Sequence, residues 1–115
     1  METPLAGRHC VACEPGTPPL PPAEAGRLLT QLDGWEVDET ESHLQLVKTY
    51  KFKGFMPGVE FVNRIARIAE EEGHHPDILL RYGSVTVQLW THSAGGLTEN
   101  DFIMAAKIDE GTGPG

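Results

Sequence analysis

The chain has 115 residues, one domain's worth, with 39% hydrophobic and 23% charged residues, a globular balance rather than a disordered one. Its net charge of −8 argues against a sequence-independent nucleic-acid binder, which needs Lys and Arg to displace counterions, and against a polybasic membrane-surface protein. No apolar run approaches the roughly 20 residues of a spanning helix, and METPLAGRHC lacks a basic region followed by an apolar stretch, so no signal peptide is expected and the cytoplasm is the expected compartment.

Residues 1–19 read as a flexible tail, because six of the nine prolines fall before Ala23 and VACEPGTPPLPP has no period. The tail carries the two cysteines, Cys10 and Cys13, as a CxxC after His9. A zinc site lacks a second ligand pair, and a thioredoxin-type motif belongs between a strand and a helix. A pair of reduced, exposed thiols is the preferred reading, with an opportunistic metal or disulfide role as the alternative.

A folded domain is expected over residues 20–109. Pro21 or Pro22 opens a first helix, 22–32, whose Ala25, Leu28, Leu29 and Leu32 form one stripe and which Gly34 stops. Trp35–Asp38 and His43–Phe52 form a hairpin. In the second run Leu44, Leu46, Lys48, Tyr50 and Phe52 face one way, and Gln45, Val47, Thr49 and Lys51 the other. From Phe55 to about Glu72 the period is helical. One seam is Phe55, Val59, Val62, Ala66 and Ala69; beside it lie Phe61, Ile65 and Ile68. The first seam is expected on the sheet. The second either faces another subunit or sits in a broad stripe within the monomer's own core.

Ile78–Tyr82 and Val85–His92 form a second hairpin turned at Gly83-Ser84. Val85, Val87, Leu89 and Thr91 share its covered face; Thr86, Gln88, Trp90 and His92 share its open one. Thr98 opens a last helix to about Ile108, with Asp101 at the reciprocal capping position and Leu97 and Phe102 at the staple positions. Residues 110–115 read as a second tail. The sum is an α+β fold: a four-stranded antiparallel sheet with helices on one face, in the order α-β-β-α-β-β-α.

The chemistry gathers around histidines. His9 and His43 read as solvated. His74-His75-Pro76 follows the long helix, His92 ends the last strand on its polar face, and Glu70 stands one helical turn before His74. Imidazole titrates near neutrality, so such a cluster can hold an acid and a base together. Three histidines and a carboxylate could also bind zinc, but sequence neighbours rarely aim both rings at one ion and the HExxH spacing is absent. No GxSxG, Walker A or GxGxxG run is present. Asp101 reads as a helix cap before a chemical group.

The spacing of Glu70, His74-His75-Pro76, Tyr82, His92 and Asp101, with Thr91-His92 and Gly96-Leu97-Thr98, resembles the signature of the pterin-4a-carbinolamine dehydratases over residues 20–109. The His9-Cys10-x-Ala12-Cys13 tail looks like the N-terminus of bacterial members, which accompany phenylalanine hydroxylase. The resemblance implies the same α+β fold in a homodimer or homotetramer. It implies dehydration of 4a-hydroxytetrahydropterin to quinonoid dihydropterin, in recycling of the tetrahydropterin cofactor of aromatic amino acid hydroxylation. No metal and no organic cofactor is implied. His74, His75 and His92 map onto the catalytic histidines. His75 is expected as the principal acid or base, His74 as the group polarising the 4a-hydroxyl, and His92 as the complementary proton carrier or a substrate ligand. Glu70 and Asp101 are supporting residues, and Gly73, Trp90 and Thr91 border the pterin. Gly73 stands where animal enzymes have an aspartate, and Trp90 where they have a small residue. Two alternatives remain: a non-catalytic dimerisation or transcription cofactor, and a dehydratase-like protein of molybdopterin metabolism.

Overall fold

The computed structural model describes residues 5–11 and 17–111. Seven main elements follow in the expected order: α1 (Pro22–Leu29), β1 (Glu36–Glu39), β2 (Leu44–Lys51), α2 (Met56–Glu72), β3 (Asp77–Arg81), β4 (Ser84–Leu89) and α3 (Glu99–Gly111). Short 3-10 turns add Leu5–Gly7 and His92–Ala94. The sheet is antiparallel throughout, in the order β1-β2-β4-β3.

Pairing explains which face is covered. Leu46 lies opposite Leu89, and Tyr50 opposite Val85, so the apolar members of β2 and β4 share a face. The helices α2 and α3 pack on that face, and Leu46, Val85, Val87 and Leu89 are buried beneath them. Val47, Thr49, Thr86 and Gln88 take the opposite, open face, as the alternation in the sequence requires. The helix α2 reaches close to the sheet at Gly58: a Cβ there would stand 3.1 Å from Leu80 and 3.3 Å from Val85.

The second seam of α2, expected either at another subunit or in a broad stripe within the monomer, lies in the monomer's own core. Phe61, Ile65 and Ala69 point into the core, and Phe61 packs on Tyr50 and Phe52 at centroid distances of 4.5 and 5.2 Å. Phe61 and Ile65 are therefore spent on the monomer and unavailable to a second subunit. Phe55 is 44% exposed and Ala66 is also exposed, while Val59 is half-buried and Val62 and Ala69 pack against the core, so the apolar surface of α2 forms one broad stripe in the monomer, centred on the second seam. Both seams satisfy a helical period. Only the rotation of α2 about its axis, set by the Gly58 approach and the Phe61 cluster, separates them.

Element ends shift for local reasons. The first helix stops at Leu29, three residues early, where the Thr30 hydroxyl donates to the Arg27 carbonyl at 2.6 Å; Gly34 then turns the chain at φ 80°. The last helix runs on to Gly111, past the expected end and into the expected C-terminal tail. Its final turn is held by Asp109, whose carboxylate accepts from Trp35 Nε1 (2.9 Å), Lys48 Nζ (3.0 Å) and Tyr50 Oη (2.5 Å). Burial and this carboxylate push the Tyr50 phenol well above its ordinary range.

Residues 5–11 depart from the expectation of an unpacked tail. Leu5 is 3% exposed and belongs to the core cluster. Lys107 Nζ donates to the Ala6 carbonyl at 2.9 Å, Arg8 pairs with Glu99, and the Cys10 N–H donates to Glu72 at 2.7 Å. A lone apolar residue among breakers carries no period, so the sequence gives no sign of this burial. Cys13, the second cysteine of the CxxC, lies outside the described residues.

Two outcomes follow from this anchoring. Leu5→Ala removes a buried side chain at a cost of about 2 kcal/mol or more, so melting should fall by roughly 8 °C or more in a domain of this size. An unchanged melting temperature would show that the segment adds nothing to stability. The second outcome concerns Glu72. Burial raises its carboxyl, but the Cys10 N–H, His9 and Lys107 together outweigh that and leave it below the usual range. A lowered folded value contributes stability above the unfolded carboxylate pKa and loses it as pH falls through the folded one. Glu72→Gln should therefore be less stable than the parent at pH 6–7, with the gap closing below about pH 4. Parallel melting curves from pH 7 to pH 3 would contradict this.

Candidate active site

The site is built where three chain segments meet. The first is the exit of α2. Gly73 caps that helix in the left-handed region, φ 67°, with its N–H on the Ala69 carbonyl at 2.8 Å. Its φ, rather than space, demands glycine, since nothing lies within 4 Å of a Cβ there. The turn aims His74 and His75 in different directions.

His74 Nε2 meets Asp101 Oδ1 at 2.6 Å, and His75 Nε2 meets Glu70 Oε2 at 2.8 Å. The sequence spacing pairs Glu70 with His74 on a continuing helix. The helix ends at Glu72 instead, and the left-handed turn brings the next histidine round to Glu70. The two pairs differ in weight. His75 and Glu70 are both mostly exposed, so their attraction is screened by water. The His74 side chain is 13% exposed and Asp101 is 0% exposed, so that contact lies out of water.

The second segment is the start of α3. Asp101 Oδ2 accepts the Thr98 N–H and the Thr91 hydroxyl, each at 2.9 Å. The first of these is the reciprocal half of the expected capping box. The Thr98 hydroxyl does not complete the box. The Thr91 proton is committed to Asp101, so the Thr98 hydroxyl donates to Thr91, at 2.7 Å. Leu97 and Phe102, the staple pair, are both buried. Asp101 is thus at once a helix cap and the partner of His74. With the Asp101 carboxylate accepting at Nε2, a neutral His74 ring has Nδ1 left over as an acceptor.

The third segment follows β4. The strand ends at Leu89, earlier than expected, because Thr91 pairs with Gly96 in an isolated bridge and its side chain turns inward to Thr98 and Asp101. His92 therefore opens a 3-10 turn rather than ending a strand. Its ring stacks on Trp90 at 3.8 Å between centroids, and His43 stacks on Trp90 as well, at 3.5 Å.

His43 is not a solvated bystander. Its Nε2 reaches Gln45 Oε1 at 3.3 Å and its Nδ1 the Ser42 hydroxyl at 3.0 Å. Extending the Leu46–Leu89 register carries residues 43–45 alongside 90–92. The signal was available only after that strand pairing was known.

A cleft of about 580 Å³ is lined by Gly73, His74, His75, Pro76, Asp77, Trp90, Thr91, His92 and Ser93, with Val11 and Asn100 beside them. All three histidines singled out in the sequence thus border one space, together with Gly73, Trp90 and Thr91. Glu70 and Asp101 stand behind it as partners of His75 and His74. Neither Val11 nor Asn100 carries a motif or a period that points to this cleft. Chemically, the cleft offers several imidazoles with different exposures and partners, which suits proton transfer to and from a small ligand. Among the described residues no three His, Cys, Asp or Glu side chains converge as a metal ion would require.

The sequence profile for pterin 4 alpha carbinolamine dehydratase matches residues 18–111. A Rickettsia bellii protein provisionally named pterin-4-alpha-carbinolamine dehydratase is 48% identical over 106 residues, covering 91% of each chain. A Rubrobacter xylanophilus protein with the same provisional name is 46% identical over 105 residues, 91% of this chain and 95% of that one. Among solved structures, a transcriptional coactivator/pterin dehydratase from Brucella melitensis superposes with a TM-score of 0.75 at 35% identity, covering 83% of this chain and 99% of that one. A pterin dehydratase-like RuBisCO assembly factor of the alpha-carboxysome shares the fold, with a TM-score of 0.59 at 23% identity, over 72% of this chain and 94% of that one. With the profile spanning nearly all of the described fold and relatives this similar along nine-tenths of its length, the chain belongs to the pterin-4-alpha-carbinolamine dehydratase family.

Proposed function

We propose that this protein dehydrates a 4a-hydroxytetrahydropterin to quinonoid dihydropterin and water by histidine acid–base catalysis. The observation that supports this most is the convergence of His74, His75 and His92 on one cleft of about 580 Å³. That volume suits a bicyclic ligand, since small-molecule sites run from roughly 300 to 1,000 Å³. A binding module acting as a transcription cofactor has no use for three such rings in one cleft. The same reading assigns the protein to recycling of the tetrahydropterin used in aromatic amino acid hydroxylation. It implies cytoplasmic action beside a phenylalanine hydroxylase, and assembly as a homodimer or homotetramer.

The reaction needs two proton movements. The ring nitrogen gives up its proton, and its lone pair forms the C=N bond as the C4a–O bond breaks. The departing hydroxyl gains a proton and leaves as water. No covalent bond to the protein is required. His74, with Nε2–H committed to Asp101, offers Nδ1 as an acceptor and suits removal of the ring N–H proton. This shifts its role from the polarising one expected from the family signature. His75 is the principal acid: it reaches solvent beside Glu70, so it can be reprotonated between turnovers. His92, backed by Trp90, is the complementary carrier at the cleft mouth. Each proton transfer of this kind contributes about 10²–10⁴-fold.

Two experiments test the assignment. Each of His74→Ala, His75→Ala and His92→Ala should lower kcat/KM in a folded protein, after subtraction of the uncatalysed decay of the adduct. Double variants should lose less than the product of the single losses, because groups serving one pair of proton transfers act as a unit. The pH–rate profile should be bell-shaped, with one ring protonated and another neutral. Wild-type activity in His75→Ala would remove it as principal acid, and fully multiplicative losses would remove the shared site.

Asp101→Asn isolates the role of the carboxylate. Its amide oxygen can keep the Thr98 N–H and Thr91 contacts while its NH₂ faces His74, which forces the imidazole into the other tautomer. A fall in kcat of about 10²-fold or more is expected from such a tautomer reversal, with melting changed by only a few degrees. Unaltered kcat in a folded Asp101→Asn protein would leave Asp101 as a cap alone.

A further inference from the structure

The N-terminal segment ends its described part on a residue whose backbone is held by hydrogen bonds while its side chain is left exposed. Asn100 is 5% exposed, and an amide so buried must find partners for its donor and acceptor. It satisfies both on a single residue. Its Oδ1 accepts the Val11 N–H at 3.0 Å, and its Nδ2 donates to the Val11 carbonyl at 2.5 Å. One position earlier, the Cys10 N–H donates at 2.7 Å to Oε1 of Glu72, whose side chain is 3% exposed. Two buried polar side chains therefore fix the backbone of residues 10 and 11.

The side chain so fixed buries almost nothing: Val11 is 71% exposed. Leu5 and the half-buried Cys10 pack this segment against the core, and the Val11 side chain adds almost nothing to that burial. What Val11 does border is the cleft of His74, His75 and His92, and Asn100 borders it too. Asn100 also sits one residue before Asp101, so the clasp and the His74 contact are carried on the same first turn of α3.

We propose that Val11 is a substrate-contacting wall of the histidine cleft, held there by Asn100 and Glu72 as positioning residues. The inference rests on the dehydratase reading above. The exposed isopropyl group supplies an apolar contact to one edge of the flat heterocycle in the cleft that the imidazoles border. Val11 has no proton to give, so its contribution is to substrate binding and not to the chemical step. The same contact makes it a specificity determinant for substituents on that edge of the pterin.

The test uses the full chain with Val11→Glu, Val11→Gly and Asn100→Ala. Because the Val11 side chain is exposed, both of its variants should melt within a degree or two of the parent. KM should rise about fivefold or more in each, the scale of one or two methylene contacts, with kcat within about twofold and the pH–rate limbs unmoved. Asn100→Ala should raise KM similarly, and the double variant Val11→Glu with Asn100→Ala should add little, since both changes remove one wall. If the unaltered protein is active and both Val11 variants keep its KM, the inference is overturned while the dehydratase reading stands. A fall in kcat with unchanged KM in the Val11 variants would also overturn it. No dehydration by the unaltered protein would overturn the parent reading and this inference together.

Discussion

The buried carboxylate of Asp101 is the contact on which the rest of the site depends. It is 0% exposed and accepts from the Thr98 N–H, the Thr91 hydroxyl and His74. Those three groups come from the start of α3, the segment after β4 and the turn after α2. A carboxylate out of water must be fully hydrogen-bonded, and each charge-assisted bond contributes about 1.5–3 kcal/mol. Removing any partner leaves a buried carboxylate oxygen short of a donor, so the three segments are held in one relative position. The cleft is the space between them.

The last helix is consequently pinned at both ends by carboxylates. Asp101 fixes its first turn, and Asp109 fixes its last against Trp35, Lys48 and Tyr50. Between them Phe102, Ile103, Met104, Ala105 and Ile108 fill the core. The N-terminal segment then crosses outside this helix and docks on Asn100, Lys107 and, from α2, Glu72. Rigid support of this kind is what proton transfer needs, since an imidazole displaced by about 1 Å loses most of its effect. The catalytic proposal thus rests on α3 as a strut, although none of the three histidines belongs to it.

Much of the fold was legible. The change from period two to period 3.6 at Gly54, the glycine turn between β3 and β4, and the capping pattern Thr98-x-x-Asp101 each encode a local choice that the structure keeps. Each is settled by neighbours in sequence: alternation by the pleat, turns by the freedom of glycine, the cap by orphan N–H groups. The histidines could be singled out for the same reason, as rare residue types at a helix exit and a strand end.

What the sequence by itself determined is the list of elements, their order and the residues able to carry proton chemistry. Tertiary structure decided the partners. A helical period names two seams of α2 and cannot rank them; the approach of Gly58 to Leu80 and Val85 turns Phe61 and Ile65 inward. Counting residues assigns Glu70 to His74; the left-handed turn at Gly73 gives it His75 and leaves His74 to Asp101, 27 positions away. Leu5, Val11 and His43 carry no periodic signal, and they enter the structure through contacts with residues far along the chain. Local pattern records which backbone a segment can adopt at low cost. Which side chains then meet depends on rotations and crossings of whole elements, and those are set only when all the elements pack at once.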